Sequence, residues 1–341
     1  MAMTEEERKN ITQDMFNPAD LLSADKEKVT GKSISYWQDA FRRLRQNKAA
    51  IVCAVIIAFI VILALVGPYM NDKDAISQDL SAHYLPPRIS FLTDVHWLPF
   101  DGLTQQGVDL YEQRGVDTNY WFGADKFGRD MWSRVWQGTQ ASLLIGLVAA
   151  LADFIIGIAY GGISGYFGGR TDDFMQRVVE ILVGIPQMIL LILLIMVMEP
   201  SLYTIIAAIA FTGWVGQSRI VRGQIMKLKS QEFVLASRTL GAKPSRLISK
   251  HLLPNTVGQI IITTMFSVPA AIFAEAFLSF IGLGVQPPKA SLGTLINDGF
   301  DVMQIHPYMA LFPAIVISLL LICFNVFGDG LRDALDPKLR Q

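Results

Sequence analysis

Six hydrophobic stretches, each about as long as a lipid bilayer is thick, constrain the fold of this chain more than any other feature. A transmembrane helix needs about 20 mostly apolar residues. Such stretches lie at residues 49–69, 141–165, 176–198, 201–221, 256–282 and 308–328. With 52% hydrophobic and 17% charged residues, the chain is too apolar for a soluble protein of this length. The sequence therefore predicts an all-α integral membrane protein with six transmembrane helices.

The distribution of basic residues predicts the orientation of these spans. Cytoplasmic flanks are enriched in Lys and Arg, and an even number of spans places both termini on one side. The flanks on that side carry Arg42, Arg43, Arg45, Lys48, Arg170, Arg177, Arg332 and Lys338. Both termini are therefore predicted to be cytoplasmic. The net charge of −1 gives no indication of nucleic-acid binding, and no such partner is predicted.

The segment before the first span is predicted to consist of two regions, a polar tail and an amphipathic helix. Residues 1–33 are polar and have no periodicity, which is typical of a cytoplasmic tail. Residues 34–48 place Trp37, Phe41 and Leu44 at helical spacing beside basic residues. Such a pattern predicts an amphipathic helix that lies along the lipid headgroups or, alternatively, packs on protein.

The remaining segments follow from the spans. The first span, 49–69, comes after a polar stretch, so it is not placed like a cleavable signal peptide. Residues 70–139 are predicted to form a long extracytoplasmic loop with turns and short helices. Residues 140–333 form a core domain with the other five spans and a basic loop at 222–255, and residues 334–341 form a second cytoplasmic tail.

The segment Gln231–Asn255 is basic and amphipathic, although long hydrophobic stretches flank it. Glycine and proline break helices, so the segment predicts a short helix ending near Leu240, a turn over residues 241–244, and a second short helix stopped by Pro254. The apolar residues of these helices are Leu235, Ala236, Leu240, Leu247, Ile248 and Leu252. On charge alone, the segment also fits an ordinary cytoplasmic loop.

Motifs for catalysis and metal binding are missing from the sequence. No Gly-X4-Gly-Lys-Ser/Thr phosphate loop occurs, so the chain is not predicted to be an ATPase. Gly162-Ile163-Ser164-Gly165 matches the Gly-X-Ser-Gly of rhomboid-type intramembrane proteases, but a serine nucleophile needs a base, and no histidine lies in a predicted span. The scattered residues His83, His96, His251 and His306 predict no metal site. Cys53 and Cys323 both lie in hydrophobic stretches and are predicted to be packing residues.

Three acidic residues lie inside predicted spans: Asp153, Glu180 and Glu275. An ionisable group in the bilayer is costly unless it faces the protein interior or water. Asp153 and Glu275 are therefore candidates for structural polar contacts or for lining a translocation path, with proton coupling as a further alternative.

The basic segment resembles the cytoplasmic loop of ABC-importer permeases. The pattern of that loop, Glu-Ala-Ala-X3-Gly-X9-Ile-X-Leu-Pro, aligns with Leu235, Ala236, Ser237, Gly241, His251, Leu253 and Pro254. The spacing and the helix breakers agree with the pattern. Leu235, Ser237 and His251 depart from it, since they stand where the family has an acid, a second alanine and an isoleucine.

Three further blocks resemble the C subunit of oligopeptide and dipeptide permeases. They are WFGADKFGRDMWSRV at Trp121–Val135, AEAFLSFIGLGVQPP at Ala274–Pro288 and FGDGLRDALDP at Phe327–Pro337. The similarity runs in order from about residue 34 to residue 338. One departure is Leu292, where the family usually has tryptophan.

The resemblance implies a type I ABC importer permease fold with a long first external loop, in a bacterial cytoplasmic membrane. It implies a non-catalytic subunit that forms half of a translocation path for peptides. The implied partners are a homologous B-type permease, two cytoplasmic ATPase subunits that bind ATP and Mg²⁺, an extracytoplasmic substrate-binding protein, and membrane lipids. The residues implied to contact an ATPase are Leu235, Ala236, Ser237, Gly241, Leu253 and Pro254.

Several alternatives remain open from the sequence. Importers of nickel and of glutathione share the implied architecture. A self-sufficient secondary transporter or channel, and a membrane scaffold for an unrelated ATPase, are alternatives from other classes.

Overall fold

A computed structural model of the chain describes residues 35–90 and 100–335. Most of these residues are helical, and the only β-pairs among them are three isolated bridges. In chain order, the helices are α1 (Tyr36–Gln46), α2 (Lys48–Val66), α3 (Leu110–Arg114), α4 (Met131–Phe167), α5 (Gly169–Gly184), α6 (Gln187–Met198), α7 (Leu202–Leu228), α8 (Glu232–Thr239), α9 (Pro244–Leu283), α10 (Leu292–Phe300) and α11 (Tyr308–Leu335). The predicted tail at residues 1–33 and all but the first two residues of the tail at 334–341 lie outside the described residues.

The chain divides into two units, residues 1–39 and 40–341. Of the first unit, the structure describes only residues 35–39, which include the start of α1. In the second unit, Asn47 ends α1 and caps α2, because its side chain accepts a hydrogen bond from the amide of Ala50 at 3.1 Å. The amphipathic helix predicted at 34–48 is therefore present at Tyr36–Gln46. Its position on lipid headgroups stays a prediction.

Among the described residues, five helices are long and apolar enough to cross a membrane: α2 with a 3₁₀ extension to Tyr69, α4, α7, α9 and α11. The pair α5 and α6 also qualifies, but it is bent by 84°. Ile185, between the two helices, is extended (φ −95°, ψ 127°), because Pro186 disfavours a helical conformation of the residue before it. The span predicted at 176–198 is therefore interrupted at residues 185–186. With the bent pair counted as one span, the six-span fold is confirmed.

The second span begins at Met131 rather than at residue 141. Asp130 caps it, since its carboxylate accepts a hydrogen bond from the amide of Ser133 at 2.8 Å. The first turns of α4 carry polar residues that lower the local hydropathy, yet Val135 and Trp136 are buried in the core. The last nine residues of the predicted external loop at 70–139 are therefore helical and belong to α4.

The other described residues of this predicted external loop have a small core of their own. Ala82, Leu85, Tyr111, Tyr120 and Ala124 are buried together. The hydroxyl of Tyr111 donates a hydrogen bond to the carbonyl of Pro86 at 2.7 Å. Burial raises the pKa of Tyr120 to about 12, so this phenol stays protonated and packs as a neutral group. The described residues of the loop thus form an ordered subdomain.

A buried charge cluster fixes the turn that leads from this subdomain into α4. The Asp125 carboxylate accepts a hydrogen bond from Nε of Arg129 at 2.6 Å and lies 3.4 Å from Nε of Arg134. It also accepts hydrogen bonds from the backbone amides of Phe127 and Arg129, at 2.8 and 3.0 Å. Asp125, Arg129 and Arg134 are all buried. One carboxylate therefore compensates two guanidinium groups.

Helix α4 crosses the centre of the second unit and lies against α7 at very short range. A Cβ atom on Gly161 would lie 2.4 Å from the carbonyl oxygen of Ser218, and one on Gly165 would lie 2.8 Å from that of Arg222. Glycines four residues apart let two membrane helices approach closely. Gly161 and Gly165 therefore serve the close packing of α4 against α7.

Leu292, the position where related sequences were expected to have tryptophan, is a core residue. It is fully buried at the start of α10, in the same apolar cluster as Trp136, Ile272 and Leu320. The substitution therefore changes internal packing and not an external contact.

The segment after α7 differs from the prediction at both ends. Helix α7 continues to Leu228, so the loop predicted at 222–255 begins with helical residues. At the other end, Pro254 lies in the first turn of an α-helical segment and does not stop the helix. Residues Leu247–Leu252 before it form a π-helix, in which the amide of Leu253 donates to the carbonyl of Ile248. Since a proline is tolerated in the first turn of a helix, α9 runs through it.

Candidate functional site

Helix α8, the turn after it and the start of α9 form a helical hairpin over residues 231–255, which we call the basic hairpin. Gly241 ends α8 with a positive φ of +82°. The amide of Gly241 donates to the carbonyl of Arg238, and the amide of Ala242 donates to that of Ser237. These two bonds are the Schellman motif, which needs a left-handed residue and therefore favours glycine. The turn predicted at Gly241 is present.

The inner side of the basic hairpin is fixed to the membrane domain through Val234. This residue is buried in an apolar cluster with Val221 and Ile225 of α7. Leu247 and Leu252 of α9 complete the same cluster and are fully buried. Sequence reasoning missed Val234, although it lies about 100° around the helix from Leu235 and therefore on a different side. Helix α8 is therefore packed against both α7 and α9.

The outer side of α8 is apolar and exposed. Phe233 and Leu235 are each 45% exposed, Leu240 is 88% exposed, and Ala236 is exposed between them. Exposed apolar residues grouped on one short helix are typical of a protein interaction surface. Of the predicted contact residues, Leu235 and Ala236 thus lie on one accessible face.

The other predicted contact residues lie elsewhere in the hairpin. Ser237 is half-buried, and its hydroxyl lies 3.2 Å from Nε2 of His251, so it joins α8 to α9. Leu253 packs against the apolar cluster under the hairpin, and Pro254 is exposed beside it. Two of the three departures from the family pattern, Ser237 and His251, therefore contact each other.

An ion pair holds α5 to α7 above the hairpin. The guanidinium of Arg222 donates to both oxygens of the Asp172 carboxylate at 2.6 Å each. The hydroxyl of Ser164 donates to the same carboxylate at 2.5 Å and accepts a hydrogen bond from Gln176. Ser164 therefore has a structural role in the Gly-X-Ser-Gly sequence. The pair was missed because its members lie 50 residues apart in the chain.

Arg222→Gln is expected to lower the free energy of unfolding by about 2 kcal/mol, because it leaves the buried Asp172 carboxylate without its charged partner. Thermal unfolding of the solubilised protein measures this loss. Arg177→Gln is the matched control, since the Arg177–Glu180 pair is exposed and is expected to contribute little. Equal losses in the two variants would contradict the structural role of the Arg222 pair.

Glu275 is a polar contact inside the protein. Its side chain is fully buried and accepts hydrogen bonds from the hydroxyls of Ser142 at 2.8 Å and Ser279 at 2.7 Å. Ser291 donates to Ser279 at 3.2 Å and extends the network to the start of α10. These bonds join α4, α9 and α10. Within this subunit, the structural alternative is therefore favoured for Glu275.

Asp153 has different surroundings. It lines a cavity of about 630 Å³ between α4, α7, α9 and the bend at Pro186. It is 7% exposed, and its Oδ1 atom has no hydrogen-bond partner among the described residues. The pathway alternative is therefore favoured for Asp153.

The described part of the chain contains no group of three His, Cys, Asp or Glu side chains that could hold a metal ion. The prediction that the protein has no cofactor of its own stays a prediction.

Comparison with known proteins identifies the family. Residues 157–341 match the family described as "Binding-protein-dependent transport system inner membrane component". The chain belongs to this family. Residues 35–87 match a second description, "N-terminal TM domain of oligopeptide transport permease C". The resemblance to ABC-importer permeases is thereby confirmed.

Curated relatives of this permease cover nearly its whole length. It is 46% identical to the dipeptide transport system permease protein DppC of Bacillus subtilis, over 92% of this chain and 90% of that protein. It is 44% identical to the oligopeptide transport system permease protein OppC of the same organism, over 97% of this chain and 99% of that protein. It is 36% identical to the oligopeptide transport system permease protein OppC of Escherichia coli, over 93% of this chain and 95% of that protein.

A solved structure supports the fold. The structure described as "Inward facing conformations of the MetNI methionine ABC transporter" matches 60% of this chain and 98% of its own, with a TM-score of 0.52 and 17% identity. At this identity the likeness shows the fold alone. The permease thus has the fold of an ABC importer membrane subunit.

Proposed function

We propose that this permease forms half of the translocation path of an ATP-driven peptide importer in a bacterial cytoplasmic membrane. Its partners would be a homologous B-type permease, an extracytoplasmic binding protein that delivers the peptide, and two cytoplasmic ATPase subunits. Those subunits would bind ATP and Mg²⁺, and this chain would perform no covalent chemistry. The names of the curated relatives support peptides as the substrate class over nickel or glutathione.

The observation that carries the proposal is the exposed apolar face of α8. Phe233, Leu235 and Ala236 are exposed, while Val234 packs the same helix against the apolar cluster that α7 and α9 form. A groove on an ATPase subunit could cover the exposed side. Because the buried side packs on two spans, a displacement of α8 would move the ends of both spans and change the opening of the path.

Reconstitution of the complete transporter tests this function. We expect proteoliposomes that contain both permeases and both ATPase subunits to take up radiolabelled trialanine when ATP and the binding protein are supplied. Uptake should fall to background when the ATPase subunits are omitted. Peptide flux driven by an ion gradient through this chain alone would contradict the proposal and favour a secondary transporter. Uptake of nickel or glutathione without peptide uptake would reassign the substrate.

A further inference from the structure

The cavity beside Asp153 differs from ordinary packing defects in its size and in the few polar groups set in a mostly apolar lining. Its volume of about 630 Å³ is in the range of small-molecule sites. Polar groups on three elements face it, among them Gln187 after the bend, Thr212 and Gln217 on α7, and Thr263 on α9. A mostly apolar lining with a few placed polar groups is typical of a small-molecule site.

The Asp153 carboxylate lines this cavity beside the side chain of Ser267, and its Oδ1 atom has no hydrogen-bond partner among the described residues. The residue lies in the middle part of α4, where a buried carboxylate is costly without a partner. Its carboxylate lies against the backbone of Gly213, because a Cβ atom at that glycine would lie 2.3 Å from Oδ1. No described residue donates a hydrogen bond to Oδ1. An ammonium group bound in the cavity would supply the missing donor.

A base lines the same cavity and does not pair with this acid. Arg219 is exposed in α7 and forms no ion pair with any other described residue. It follows Gly213 by six residues, which corresponds to about 9 Å along the helix at 1.5 Å per residue. A fully extended tripeptide spans about 10 Å at 3.3 Å per residue. Along the helix axis, the backbone of Arg219 therefore lies about as far from the level of Asp153 as the two termini of a short peptide lie from each other.

We propose that this cavity is a subsite for zwitterionic peptides, in which Asp153 binds the terminal ammonium group and Arg219 binds the terminal carboxylate. The proposal rests on the proposed peptide function and deepens it. It places part of the selection for free peptide termini in this permease, in addition to any selection by the binding protein. Long peptides would place only one terminus in the subsite, so the preference is expected for short ones.

Protection of an introduced cysteine tests occupancy of the cavity directly. Gly216 lines the cavity between the levels of Gly213 and Arg219, and a Cβ atom added there meets nothing within 4 Å. The two native cysteines, Cys53 and Cys323, are buried, so the background labelling should be low. In the complete transporter in membrane vesicles, we expect trialanine to slow the reaction of Gly216→Cys with N-ethylmaleimide several-fold. N-acetyl-trialanine amide, which lacks both charges, should not slow it.

Variants that remove one charge in the Gly216→Cys background test which residue binds which terminus of the peptide. Asp153→Asn keeps the size of the side chain and should abolish protection by trialanine and by trialanine amide. Arg219→Gln should abolish protection by N-acetyl-trialanine. Asp329→Asn is the matched control, because Asp329 is an exposed acid on α11 outside the cavity, and protection should persist. Thr212→Cys is the second reporter if Gly216→Cys does not react.

The possible outcomes separate this proposal from the proposed function. Unchanged labelling with trialanine, in vesicles that still take up trialanine, would overturn the subsite and leave peptide import standing. Protection that survives both Asp153→Asn and Arg219→Gln would overturn the assignment of the charges. Failure of the unmodified transporter to take up any peptide would instead overturn the proposed function.

Discussion

Asp125→Ala is expected to destabilise the permease by about 3–5 kcal/mol, because it leaves the buried guanidinium groups of Arg129 and Arg134 without their shared counter-charge. The same change removes the acceptor for the amides of Phe127 and Arg129. The turn before α4 should therefore lose its order, and the external subdomain should become sensitive to protease. Thermal unfolding and limited proteolysis of the solubilised protein measure both effects.

A neighbouring acid provides the control for this prediction. Asp298 pairs with Lys126 at 3.5 Å, and both side chains are partly exposed to solvent, at 32% and 46%. Asp298→Ala is therefore expected to change stability by only about 0–1 kcal/mol. In the double variant Asp125→Ala, Arg129→Ala, part of the lost stability should return, since one uncompensated charge is removed. Equal effects of the Asp125 and Asp298 variants would contradict the buried-cluster argument.

Hydropathy alone was sufficient to locate the membrane spans. A run of apolar residues as long as the bilayer is thick has few alternatives to a membrane helix, since its backbone groups must be satisfied internally. Helix ends were less predictable. Arg222 extends α7 beyond its apolar run because it binds Asp172, and the polar first turns of α4 are buried by tertiary packing. Such contacts join residues far apart in the chain.

The sequence contains two prolines, Pro186 and Pro254, whose effect on the helices around them was not predicted correctly. Gly184-Ile185-Pro186 carried the signal for the bend between α5 and α6, but the hydrophobic run around it masked that signal. Pro254 was predicted to end a helix, but it lies in the first turn of an α-helical segment that follows a π-helix, and α9 continues through it. A proline therefore restricts the residues before it without fixing whether the helix ends.

The candidate site was partly accessible from the sequence. Gly241 was predictable because a Schellman turn requires a residue with positive φ. The exposure of Leu235 and the burial of Val234 depend on the helices packed around α8, so the pattern alone did not assign them. The cavity beside Asp153 depends on the bend at Pro186 and on three further elements. For that reason, the sequence left the role of this acid open.

Ala236→Trp is expected to abolish ATP-driven uptake while the protein still reaches the membrane. Ala236 is exposed, so the larger side chain does not disturb the core and should leave folding intact. On the outer side of α8, however, the indole would occupy the space that an ATPase groove needs. Peptide uptake by vesicles, together with the amount of permease in the membrane, measures the effect.

Gly241→Val tests the same surface through the backbone. No atom lies within 4 Å of a Cβ added at Gly241, so the change introduces no clash. Its cost comes from the φ of +82°, because a left-handed conformation costs an L-residue roughly 1–2 kcal/mol and valine more than alanine. We therefore expect the turn to open, α8 to lose its orientation, and uptake to fall strongly. Gly241→Ala should be milder.

Ser249→Trp separates docking on α8 from a general effect of bulk on the basic hairpin. Ser249 is an exposed small residue of α9 in the same hairpin, and its replacement is expected to leave most of the uptake intact. Loss of uptake in Ser249→Trp equal to that in Ala236→Trp would show that α8 is not the specific contact. Normal uptake in Ala236→Trp, with ATPase subunits still co-purifying, would contradict the coupling role directly, because an exposed apolar face that tolerates an indole cannot be held in a close-fitting groove.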